Sequence, residues 1–76
     1  MADEGDVARA IKLLKELASR PVNSTSEALI WLTLGHAYDA ALDRNAAIGA
    51  YQHVQAVAPR DSRMYAEAGG ALALLK

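Results

Sequence analysis

Trp31-Leu32-Thr33-Leu34-Gly35-His36-Ala37-Tyr38 is the stretch on which the reading of this chain turns. Trp31, Leu34 and Tyr38, continued by Leu42, recur at helical spacing and form one stripe, while Leu29, Leu32, His36 and Ala40 lie on an adjacent face. A short polar break, Asp43-Arg44-Asn45, follows, and the next periodic segment turns Ala47, Ile48, Tyr51, Val54 and Val57 inward before Pro59 stops it. Two helices of similar length separated by a few polar residues form an antiparallel hairpin.

Outward from this pair the same punctuation continues. Upstream, Val7, Ala10, Ile11, Leu14, Leu17 and Ala18 share one helical face, and Arg9, Lys12, Lys15 and Glu16 take the other. The helix is expected over 6–20, closed by Pro21, because the residue before a proline is pushed away from helical geometry. Asp3, Glu4 and Asp6 place negative charge at the N-terminal end of that helix, where it opposes the macrodipole favourably. The linker Asn23-Ser24-Thr25-Ser26 leads into the second helix, expected over 26–41. Ser24 and Glu27 have the spacing of a capping box, with Thr25 or Ser26 as other candidate caps. Downstream of a third helix over 44–57, Asp61 or Ser62 can cap a fourth over 62–75, with Tyr65, Ala68, Gly69, Leu72 and Leu75 inward. No segment alternates with period two, so the fold class is all-α, one domain over 1–76.

Composition sets limits on function. The chain is 53% hydrophobic but only 5% aromatic, a balance that favours close-packed, alanine-rich helices. A net charge of −1 lacks the basic stripe of a nucleic-acid binder and gives no attraction to an anionic membrane surface. There is no cysteine, so neither disulfides nor thiolate metal sites are available. The acidic N-terminus has no apolar core of a signal peptide, and no apolar run approaches the ~18 residues of a membrane span. The expected compartment is the cytoplasm if the chain is complete, or the periplasm if it is cut from a bacterial assembly protein.

Trp31-x-x-Leu34-Gly35-x-x-Tyr38, then Ala47, Tyr51 and Pro59, resembles the tetratricopeptide repeat in both residue types and spacing. One complete repeat would span Ala28 to Asp61. In that frame Gly35 and Ala47 are small because two helices cross closely, and Trp31, Leu34, Tyr38 and Tyr51 fill the space between helices. Leu42 departs from the family, which usually turns on glycine there, and Val54 stands where alanine is usual. Gly5-Asp6-Val7-Ala8-Arg9-Ala10-Ile11 resembles the family's turn and second helix, and Ser62 onward resembles a first helix. The chain therefore reads as half repeat, full repeat, half repeat: a fragment of a right-handed α-solenoid.

The resemblance implies a protein-binding module, with a peptide groove on the inner face of the first helices. Carried over, the groove positions are Leu29, Leu32, His36, Asp39 and Ala40, and in the partial repeat Arg63, Ala66, Gly70, Ala73 and Leu74. The family's carboxylate clamp uses lysine and asparagine, which Leu32, His36, Ala66 and Gly70 replace, so an apolar helix or extended segment is the expected partner. Leu29 and Leu32 fit core packing as well as groove contact.

The two histidines, His36 and His53, lack ligand spacing, and Ser24, Thr33 and Ser62 lack a neighbouring base, so no metal, cofactor or catalytic role is expected. His36 and Asp39 are expected to form a local pair, and Gly69-Gly70 to mark close packing. Ile30, Trp31, Leu74 and Leu75 cannot all be buried by four short helices, which points to self-association or to neighbouring repeats of a longer parent chain. A purely structural homo-oligomerisation role is the alternative. The linker and Tyr65-Ala66-Glu67-Ala68 are loosely similar to repeat domains of bacterial cytochrome c assembly proteins, which would imply a chaperone-type role.

Overall fold

The computed structural model of the chain describes residues 4–75 and is all-α, with no strand among the described residues. Its helices are α1 (Glu4–Ala18), α2 (Ser24–Ala40), α3 (Arg44–Val57) and α4 (Arg63–Leu75). Asp3, expected at the head of α1, lies outside the described residues. α2 and α3 form the central pair; α1 packs on α2, α4 packs on α3, and α4 also touches α2.

The helix ends show which local chemistry wins. α1 stops at Ala18 rather than Arg20: Ser19 and Arg20 still donate to the Lys15 and Leu17 carbonyls, but Pro21 keeps the chain from propagating the helix. α2 begins earlier than expected because Asn23 is its cap. The Asn23 Oδ1 accepts from the Ser26 N–H at 2.8 Å. The Ser24–Glu27 capping box is not formed, and the Glu27 carboxylate is engaged across the hairpin instead. Asp43 caps α3 through the Ala46 N–H. At α4 the Ser62 hydroxyl accepts from the Tyr65 N–H and donates to the Pro59 carbonyl, so Ser62 rather than Asp61 is the cap.

Between α2 and α3 the chain turns on Leu42, which adopts φ 62°. The Asp43 N–H bonds back to Tyr38 and the Leu42 N–H to Asp39, the paired bonds of a Schellman closure. Glycine is the usual occupant of this left-handed position; a leucine there carries a steric cost of about 1–2 kcal/mol. The side chain is 90% exposed. Leu42 therefore does not extend the Trp31, Leu34 and Tyr38 stripe as its spacing predicts, because the backbone leaves the helix one residue before it.

Contacts along the central pair run in opposite order: Glu27 and Trp31 meet His53, while Gly35 and His36 meet Tyr51. α2 and α3 are thus antiparallel. At the crossing a β-carbon added to Gly35 would stand 2.5 Å from Cε1 of Tyr51, closer than any side chain tolerates. The glycine opens a slot that the tyrosine ring fills, and Tyr51 is 1% exposed. Ala28, Leu34, Ala47, Ala50 and Val54 complete the seam, and α4 contributes Ala68 and Leu72. The expected close crossing is present at Gly35, and Ala47 is fully buried.

α1 differs from expectation. It packs only against α2. Val7, Ile11, Leu14 and Ala18 are half-buried, but Ala10 and Leu17, also expected inward, are exposed. A helix with one neighbour can cover only the side that faces it.

Candidate functional site

The candidate groove residues fall on the solvent faces of α2 and α4. On α2, Leu29, Thr33, His36 and Ala40 share one helical face. All four are exposed, Leu29 by 56%. Asp39 flanks them and is also exposed. Leu32 separates from the group: it is 6% exposed and belongs to the core. The ambiguity between core and surface is resolved oppositely for the two leucines, because their positions on α2 place Leu32 toward the interior and Leu29 away from it. On α4, Arg63, Ala66, Gly70, Ala73 and Leu74 are exposed on the face opposite Ala68 and Leu72, with Leu74 89% exposed.

Small side chains dominate between the exposed leucines. An added β-carbon at Gly70 would meet nothing within 4 Å, so this glycine does not mark close packing as expected. At Gly69 the only near atom is the flexible Gln55 amide, 3.1 Å away. Gly69 therefore does sit close against α3, whereas Gly70 keeps part of the α4 surface low.

Both histidines make cross-hairpin contacts that sequence spacing did not suggest. The Tyr51 hydroxyl and His36 Nδ1 are 3.1 Å apart and share a hydrogen bond, with the rings edge to face at 5.6 Å. The expected His36–Asp39 pair is replaced by this contact. Burial pushes the Tyr51 hydroxyl's pKa up, and the nearby Asp39 carboxylate adds to the shift by opposing a second negative charge. His53 Nε2 lies 3.2 Å from Glu27 Oε1, and its ring lies 4.3 Å from that of Trp31. These contacts tie α3 to α2 at two levels and leave His36 at the edge of the exposed α2 face.

A further feature lies at the turn end of the hairpin. Asp39, Leu42, Asp43, Arg44, Asn45 and Leu75 line an open cavity of about 570 Å³. Of the sequence-derived candidates only Asp39 borders it. The rest come together through the left-handed turn at Leu42 and the docking of α4, neither of which a linear spacing rule reveals.

Among the described residues no cluster of His, Cys, Asp or Glu could hold a metal ion, and no helix is long and apolar enough to cross a membrane. No buried polar side-chain atom is left without a partner among them. Comparison with family models, with curated proteins and with solved structures returns no match for this chain.

Proposed function

We propose that this chain is a tetratricopeptide-type interaction module that holds an apolar segment of a partner protein against the solvent faces of α2 and α4. The residue pattern from Trp31 to Pro59 supports the repeat reading, as does the slot at Gly35 filled by Tyr51. The observation that carries the functional reading is the exposure of Leu29 and Leu74, at 56% and 89%, on faces where they are accompanied by the small residues Thr33, Ala40, Ala66, Gly70 and Ala73. Low relief flanked by leucines suits an amphipathic helix or an extended apolar strand, whose own side chains supply the bulk. The module acts by binding alone, as a scaffold or chaperone-type part of a larger assembly.

The test uses a synthetic amphipathic peptide with leucines at i, i+3, i+4 and i+7, titrated into isotopically labelled protein. The amide signals of Leu29, His36, Ala66 and Gly70 should shift together. Leu29→Asp should abolish the shifts at Ala66 and Gly70 while leaving the thermal midpoint in place, since Leu29 contributes little to the core. Shifts confined to α1, or unaffected by Leu29→Asp, would remove the basis of the proposal.

A further inference from the structure

A separate surface, on the part of α1 that α2 leaves exposed, suits a second copy of this chain. α1 has a broad apolar face, and α2 covers only the part formed by Val7, Ile11, Leu14 and Ala18. The remainder is a strip of Ala10, Leu13 and Leu17, in which the two leucines are 55% and 44% exposed. Arg9 and Glu16 border this strip on the same edge, seven residues apart. Both are exposed, and among the described residues neither has an ion-pair partner.

We infer that the Ala10–Leu13–Leu17 strip docks antiparallel on the same strip of a second copy, as a two-fold symmetric dimer. The charge pattern selects both occupant and direction. A two-fold contact pairs residue i with j and j with i. With the axis beside Leu13, Arg9 of each copy faces Glu16 of the other, giving two reciprocal ion pairs. Leu13 then meets its own mate at the axis, and Leu17 packs along the aliphatic stem of the opposing Arg9. A parallel two-fold arrangement would carry the Arg9–Glu16 edges of the two copies to opposite sides of the contact, so that neither pair could form. The contact is one helix wide, at the small end of stable interfaces, so the dimer forms at about 100 micromolar and above rather than at nanomolar concentration.

Sedimentation equilibrium on this chain, from about 10 micromolar to about 1 millimolar, tests the inference. The unmodified protein should pass from monomer to dimer across that range. Arg9→Glu and Glu16→Arg, made singly, each create two like-charge contacts and should raise the dissociation constant by about tenfold. The double exchange rebuilds both pairs in reverse and should restore dimerisation. Far-UV circular dichroism confirms that each variant is folded, and Leu13→Lys at its exposed position supplies an independent disruption. A protein that stays monomeric throughout overturns the inference and assigns the strip to another partner. So does a dimer indifferent to the single exchanges, or a double exchange that fails to restore it.

Discussion

The α2–α3 seam and the α1 edge draw on similar residues, alanine and branched aliphatics at helical spacing, yet they end in opposite states. In the seam, Leu34, Ala47 and Val54 are 0% exposed, and Tyr51 fits the slot beside Gly35. On α1 no residue among those described is fully buried, and Leu13 and Leu17 face solvent. The seam lies between neighbours on both sides, since α2 is covered by α1 and α3 by α4, whereas α1 meets one helix only. What separates the two regions is reciprocity: a small residue opposite a large one in the seam, and nothing opposite the outer half of α1. Apolar character brings a face toward an interior, and a matching surface is needed to bury it.

The largest test of this contrast compares two leucine truncations. Leu34→Ala should destabilise the protein by about 3 kcal/mol, because it opens a cavity in the packed seam. Leu13→Ala should stay within about 0.5 kcal/mol for the monomer, since its side chain is already half in water. Chemical denaturation of both variants at low concentration reads the difference, and equal losses would break the comparison.

Gly35→Ala comes next. An alanine normally stabilises a helix interior, but here its methyl group would collide with the Tyr51 ring and should cost about 2 kcal/mol. A stabilised Gly35→Ala variant would mean that the slot is not tight. Leu42→Gly should have the opposite sign, stabilising by about 0.5–1 kcal/mol, because it relieves the left-handed backbone and removes no buried contact. Both shifts can be read from urea midpoints.

The smallest effect is on pH dependence. The buried Tyr51 hydroxyl has its pKa raised in the folded state by burial and by Asp39. Its contribution is therefore fully present below the unfolded value near 10 and is lost as pH rises through the higher folded value. Stability should decline at alkaline pH through this group, and Tyr51→Phe should flatten the decline measured by urea midpoints from neutral to alkaline pH.

Much of the architecture was legible in the chain itself. Periodicity located all four helices, Pro21 and Pro59 marked two ends, and Gly35 within an aromatic stripe marked the crossing. Helix caps were less legible, because Asn23, Ser24, Thr25 and Ser26 can each serve and only backbone direction chooses among them. The candidate face was readable as positions but not as exposures. Leu29 and Leu32 are adjacent in pattern and identical in chemistry, and their separation into surface and core depends on how α2 is rotated against α3 and α4. The His36–Tyr51 and His53–Glu27 contacts were not visible, since they join residues 15 and 26 apart with no local signature.

The sequence by itself determined helix content, the order of the elements and the one place where two helices must come close. Those follow from interactions within a few residues: turn-by-turn hydrogen bonding, capping, and the absence of a side chain at Gly35. Tertiary structure alone decided which apolar residues remain in water. Burial depends on the presence of an opposing surface, and for Leu13, Leu17, Leu29 and Leu74 no such surface lies within the described residues.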